Sequence, residues 1–495
     1  MKYNCVGDCR TLGVSFYFFK TGKRYINVML KNIMVKDKNF YKMVLLIGLP
    51  VALQSLISLS VVFLDNVMVG NIRENTEIVF AGVTQANAIT TLFAFFIKGL
   101  SGGASVMISQ YWGKKDLDKI KTVFSIIFTI GFSLAIIITT LIFIFPRGAM
   151  SIMTDNKDVI TEGAKYIQIV CFSYIFYILT ETFVVMLRCV EIIRVSLYVS
   201  IVSFFINLIG NYFLIFGNES LNIPAMGIRG AAIATVFARF IEFIIVMTFT
   251  FKIQKRLAIK IKDLFRHDKT MWLDYVKYGL PIMAGDTQWG FVGFFKAVII
   301  GRLDKKIISA NGIAEIIMSL AGIFTIGLGS AACVIIGKTV GAKEYDKTRQ
   351  YSKTLQILFA SFGIIMAMVL FFAKTPLISL YEILSKSGVQ GGFEQATKDL
   401  AKTFISIGAF TLMGTFYHAT CFTGINRGAG DGKFVFKVDM ICGWVIVLPL
   451  TFINAILLGS PAPIIFLCAR IDQCFKWIVA LIRLRGNKWI RNVTR

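Results

Sequence analysis

A lone carboxylate, Asp65, stands inside the apolar run LSVVFLDNVMVG, fifteen residues after Pro50. An ionised acid at bilayer depth costs roughly 2–3 kcal/mol or more, so such a residue faces a cavity or a partner. Desolvation favours the neutral form of a carboxyl group, and a bound cation favours the ionised form. Together these let a carboxylate exchange a proton or Na⁺ for another cation. The alternative is a carboxylate snorkelling at the outer end of its span, since five residues separate it from Gly70.

Other polar groups recur at similar depth. Asn207 and Asn211 lie one helical turn apart in FFINLIGNYFLIFG and share a face. Their amides can offer carbonyl oxygens to a hard cation or hydrogen bonds to Asp65, or can bond helix to helix. Thr235 in GAAIAT adds a hydroxyl on a face of small residues. Asp286 falls five residues after Pro281 with no local basic partner, and is a candidate for recognising a cationic substrate, as is Glu315. Lys296 lies near the end of a run and can snorkel. Glu181 and Glu242 each sit near an arginine, Arg188 and Arg239, and read as structural ion pairs. Pro50 and Pro281 each remove a backbone hydrogen bond, giving either a hinge or a static bend.

The elements that carry these residues are membrane-length helices. The chain has 495 residues, 56% of them hydrophobic, with 45 Phe. Apolar runs of about 20 residues, enough to cross a bilayer, recur throughout. Twelve spans are expected, near 43–70, 80–110, 122–146, 163–187, 195–217, 226–251, 275–301, 309–337, 354–381, 401–424, 433–457 and 462–483. The chain also repeats itself. GLPVALQSLISLSVVFLDNVMVG at 48–70 aligns with GLPIMAGDTQWGFVGFFKAVIIG at 279–301, and GLSGGASVMISQYWG at 99–113 with GLGSAACVIIGKTVG at 327–341. Lys296 takes the repeat position of Asp65, and Glu315 that of Asn87. Six spans per copy give both halves one orientation, related by an axis along the membrane normal. The expected fold is an all-α membrane protein of twelve transmembrane helices in two pseudo-symmetric six-helix lobes. Its expected divisions are an N-terminal extension 1–42, an N-lobe 43–251, a basic linker 252–274, a C-lobe 275–483 and a basic tail 484–495.

Net charge is +25. The cations sit in short connections between apolar runs, which points to membrane topology rather than to nucleic acid. Lysines and arginines gather at 252–277 and in the tail. The connections NIRENTE, GNESLNIPA and GSPAP are poorer in them, with LDKKI at 303–307 an exception. This asymmetry predicts a plasma-membrane protein with both termini cytoplasmic. It also predicts an amphipathic linker helix lying on the anionic inner leaflet.

Several functions are disfavoured. Nine cysteines show no ligand spacing, Cys5 and Cys9 are joined by only two histidines in the chain, and no metal site is expected. GKT at 337–339 lacks the earlier glycine of a P-loop, because Ala332 stands there, so direct ATP driving is not expected. No nucleophile–base pair marks an enzyme. No repeated filter marks a channel. The apolar stretch near residue 15 is too short for a signal peptide, and Met29 and Met34 are alternative starts.

Taken in order, GLP…Q at 48–54, LDNVMVG at 64–70, GASVMISQYWGKKD at 103–116, NLIGNYFLIFG at 207–217, GIRGAAIAT at 227–235 and NRGAGDGK at 426–433 resemble the multidrug and toxic compound extrusion (MATE) transporters over residues 40–490. The resemblance implies two lobes in a V, and export of cationic, amphipathic small molecules by a monomer in exchange for H⁺ or Na⁺, with no cofactor. It implies that Asp65 binds the coupling ion, with Asn207, Asn211 and Thr235 beside it. Relatives carry an acid where Asn211 stands, so this site has one carboxylate fewer and leans towards protons. The acid some relatives carry on span ten is absent, and His418 is the nearest ionisable group. A flippase for a lipid-linked precursor is the alternative; it calls for a strongly cationic cavity and more than twelve spans.

Overall fold

The structure, a computed structural model, describes residues 34–69, 76–385 and 394–495. Most of the N-terminal extension, with Cys5 and Cys9, and residues 71–75 of the NIRENTE connection lie outside the described residues. The rest is helical, with one isolated β-bridge, Asn218 to Ile223.

Spans one to three are the continuous helices Lys38–Val69, Thr76–Lys114 and Leu117–Ile144. A short helix, Pro146–Ser151, leads to span four, which is split at Cys171 into Lys157–Val170 and Phe172–Cys189. Spans five and six are Arg194–Phe216 and Ile228–Thr248, the latter prolonged by a π turn at Phe249–Ile253. Span seven is broken at Gly279 into Lys269–Tyr278 and Leu280–Ile300. Span eight is Lys305–Gly341, span nine Tyr345–Ser385, and span ten Gln395–Thr420 followed by a π turn, Cys421–Asn426. Span eleven runs from Gly432 to Leu457 through alternating α and π turns, and span twelve is Ala462–Cys468 with Asp472–Arg485. Ten of these helices are long and apolar enough to cross a membrane. The other two, seven and twelve, are interrupted and carry the polar groups described below.

The two prolines act differently. Pro50 lies inside a continuous helix, whereas Pro281 opens a new one after the break at Gly279. There the Gly279 carbonyl accepts from the Ile282 and Met283 amides, both at 3.0 Å.

The repeated segments pack on each other across the seam between the lobes. Gly48 of span one faces Gly327 of span eight, and Gly279 of span seven faces Gly103 of span two. A β-carbon on Gly327 would sit 2.3 Å from the Gly48 carbonyl oxygen, and one on Gly103 2.8 Å from that of Gly279. Only small residues allow two helix backbones this close. The seam continues to the linker end of the bundle, where Gly113 meets the Lys338 backbone and Gly341 that of Gln110.

The tail seals that end. Trp489 and Val493 are each 2% exposed. Gln110, fully buried on span two, donates to the carbonyls of Gly428 at 2.9 Å and Arg491 at 3.2 Å, and accepts from the Val493 amide at 2.8 Å. Arg491 also donates its amide to Ala429 at 2.8 Å, and Arg495 grips Asp274 through two bonds of 2.8 and 2.9 Å. Chain leaving span twelve therefore binds both halves of the bundle.

The linker differs from the expected leaflet-bound helix. It holds only a 3₁₀ turn, Ile261–Phe265, before Lys269–Tyr278 begins. Its few acids explain the change. Asp263 caps the Lys260 amide at 2.9 Å and pairs with Arg266 at 2.9 Å and Lys121 at 3.6 Å. Ser125 of span three donates to the Leu264 and Arg266 carbonyls at 2.8 and 2.9 Å. The segment is tied to the end of span three instead of being left to the bilayer surface.

Candidate functional site

Four of the residues singled out above meet inside the first lobe. Asp65 projects from the C-terminal third of span one. Span five brings Asn207 and Asn211 on one face, both buried, and span six brings Thr235. The Asn211 amide nitrogen donates to the Asp65 carboxylate at 2.5 Å and to the Asn207 carbonyl oxygen at 3.2 Å. Asn207 donates in turn to the Thr235 hydroxyl at 3.4 Å, and Thr235 donates to the Ala231 carbonyl at 3.0 Å. The chain of donors leaves the side-chain oxygen of Asn211 buried with no partner. A buried carbonyl oxygen without a donor is costly.

Neighbours extend this polar centre. Tyr166 of span four donates to Asn87 of span two at 3.5 Å, and Thr90 of span two shares a 2.8 Å hydrogen bond with Tyr174. On the linker side, Asn207 and Thr235 open onto a cavity of about 30 Å³. It is also lined by Ser58, Ser203, Arg239 and Glu242, and has room for a water molecule. At its far end Arg239 pairs with Glu242 at 2.7 Å, the local ion pair expected from their spacing. Asp65, Asn207, Asn211 and Thr235 each carry a side-chain oxygen, the donor type of hard cations. Among the described residues no three His, Cys, Asp or Glu side chains gather as a metal site.

The second lobe is built otherwise. Asp286, expected to lack a basic partner and to recognise cations, has one. Arg427, which follows the π turn of span ten, reaches it through two bonds of 2.9 and 2.6 Å. Both side chains are under a tenth exposed, and they abut Gly102 of span two at the lobe seam. The sequence hides this pairing because 141 residues separate the partners. The expectation that Asp286 lacks a basic partner is therefore corrected: a bidentate guanidinium neutralises much of its charge at the seam.

Glu315 is different. It pairs with Arg470 of the span twelve break at 2.9 Å, yet 44% of its side chain remains exposed. Lys296 donates to the Ala469 carbonyl at 3.4 Å. Deeper in, Lys476 is 2% exposed and bridges Asp439 at 2.8 Å and Asp472 at 3.1 Å, with its ammonium 4.3 Å from the Trp289 ring centre. His418 is buried, with Nδ1 2.8 Å from the Gly414 carbonyl oxygen. Sequence reasoning passed over Arg427, Asp439, Arg470, Asp472 and Lys476. The signal was present for four of them, since Asp439, Arg470, Asp472 and Lys476 are charges inside expected spans.

Twelve helices in two six-helix lobes, with polar clusters in the interior of each, define a multi-pass membrane transporter. The MatE family profile matches residues 50–213 and 287–453, one stretch in each half, and the chain belongs to this family of MATE transporters. It is 24% identical to the probable multidrug resistance protein NorM of Halalkalibacterium halodurans over 84% of this chain and 87% of that one. It is 23% identical to the uncharacterized transporter YisQ of Bacillus subtilis, over 86% and 90% of the two chains. Among solved structures it is similar to the eukaryotic MATE transporter AtDTX14, with a TM-score of 0.78 at 17% identity, covering 92% of this chain and 97% of that one.

Proposed function

We propose that the protein is a secondary antiporter that exports amphipathic organic cations in exchange for H⁺ or Na⁺. The carrying observation is the junction of Asp65, Asn207, Asn211 and Thr235, one carboxylate among neutral polar groups, with the side-chain oxygen of Asn211 left unpartnered. Such a site takes up and gives back a single small cation as the lobes alternate. With Asn at position 211 it has one negative charge, which suits a proton better than a tightly held Na⁺. Glu315, half-exposed beside Arg470, is the acid placed to meet a cationic substrate. Names such as probable multidrug resistance protein NorM among the relatives support a substrate range of this kind.

In this reading the protein acts as a monomer in the plasma membrane, with both termini cytoplasmic. The seam glycines and the tail then close its cytoplasmic side. Residues 43–251 and 275–483 form the two moving lobes, joined by 252–274, with Pro50 and Pro281 at the bends. Transport is powered by the ion gradient, without cofactor or nucleotide. The test is efflux of a fluorescent organic cation from proteoliposomes under an imposed pH or Na⁺ gradient. Acceleration by either gradient supports antiport. A rate indifferent to both would overturn it.

A further inference from the structure

The end of the first lobe nearest Asp65 carries a cleft of about 450 Å³, within the range of ligand sites at roughly 300–1,000 Å³. Three separate segments place a cation in its wall. Arg147 comes from the short helix after span three, Lys165 from span four, and Arg229 from the first turn of span six. Lys165 also pairs with Glu162 at 2.5 Å. Neither Arg147 nor Arg229 makes an ion pair or a side-chain hydrogen bond among the described residues. Among the described residues Arg239, Arg266, Arg427, Arg470, Arg483 and Arg495 are paired with carboxylates, whereas Arg194, Arg256, Arg302 and Arg485, like Arg147 and Arg229, are not.

The placement is also against the trend of the sequence. By the topology proposed above, these three cations lie on the side whose connections, LDKKI apart, are cation-poor. A cluster of unpaired guanidiniums there calls for an anion. The rest of the wall identifies its form. Ile144 and Phe145 line the cleft and are 57% and 63% exposed, and Phe143 beside them is 46% exposed. Apolar side chains left uncovered at the end of a span are those that acyl chains cover. The cleft thus joins a cationic pocket at headgroup level to an apolar rim.

We infer that this cleft, formed by Arg147, Lys165 and Arg229 over Phe145, binds the phosphate headgroup of an anionic phospholipid in the leaflet opposite the linker. The guanidiniums hold the phosphate oxygens, Gln168 and Thr161 are at hand for a polar headgroup, and the acyl chains run down the apolar face of span three. A lipid held there would brace the ends of spans three, four and six against one another. Spans four and six among them contribute Tyr166 and Thr235 to the Asp65 centre.

The site can be read independently of transport. A fluorophore is attached at an exposed position beside the cleft (Ser151→Cys, in a thiol-depleted background), and the protein is placed in nanodiscs. Brominated phosphatidylglycerol or brominated phosphatidylcholine is added at matched mole fraction. Phosphatidylglycerol is expected to quench about threefold or more beyond its share. This preference should fall to that of phosphatidylcholine in Arg147→Gln/Arg229→Gln and weaken in high salt. Soluble glycerol phosphate should leave the quenching unchanged. Equal quenching by the two lipids, or a preference that survives the double substitution, would overturn the inference. Displacement of the lipid by glycerol phosphate would overturn the lipid assignment in favour of a free anion. None of these results depends on efflux, so the lipid site and the antiport reading fail or stand separately.

Discussion

Asn211 hands its amide hydrogen to Asp65 across 2.5 Å, joining span five to span one at a buried polar centre. An aspartate at 211 would set two carboxylates at this distance, and their repulsion is relieved by a cation between them. Asn211→Asp is expected to strengthen Na⁺ binding at least tenfold, read by isothermal titration or by Na⁺ protection against thermal unfolding. An unchanged Na⁺ response would show that the neutral amide does not set the ion preference.

The tail makes a second claim. Opening the linker side must break the three hydrogen bonds of Gln110 to Gly428, Arg491 and Val493. Gln110→Ala, or removal of residues 488–495, should shift the population towards the inward-open state. Spin labels at positions 115 and 343, on the two lobes, should report a longer distance component. Identical distance distributions in wild type and variants would reduce the tail to surface covering.

The buried pair of Asp286 and Arg427 is expected to bear on stability. Removing one partner strands a buried charge, at a cost of about 3–5 kcal/mol, whereas replacing both by apolar groups of similar size is close to neutral. Asp286→Ala should therefore lower the melting temperature in detergent far more than Asp286→Leu/Arg427→Met. Equal melting of the two variants would contradict a structural role, and a selective loss of cationic substrates in Asp286→Ala would return Asp286 to substrate recognition.

Much of the architecture was legible because bilayer thickness imposes one length on every span and small residues mark close helix contacts. The duplicated glycine motifs announced two halves, and those same motifs turned out to be the surfaces on which the halves meet, Gly48 on Gly327 and Gly103 on Gly279. Asn207 and Asn211 were legible as a face because both stand on one helix. The partners of Asp286 and Glu315 were not, since Arg427 and Arg470 lie 141 and 155 residues away and no local spacing encodes such a distance. The linker misled for a related reason. Its lysines dominate the composition, but its fold follows from Asp263, whose carboxylate is answered by span three and by the linker's own backbone. The tail looked like a plain basic extension, and the acidic partners of Arg495 and Arg491, Asp274 and Asp431, are again remote in sequence.

The account rests on Asp65, and the most direct measurement is gradient-driven efflux by wild type and Asp65→Asn reconstituted in parallel. Asparagine keeps the shape of a protonated carboxyl group and removes the cost of burying a charge, so the variant should fold and still bind substrate. Wild type should accelerate export when a pH or Na⁺ gradient is imposed. Asp65→Asn should bind the same fluorescent cation with similar affinity and show no response to either gradient. Full gradient-driven efflux by Asp65→Asn would contradict the assignment of ion coupling to this carboxylate.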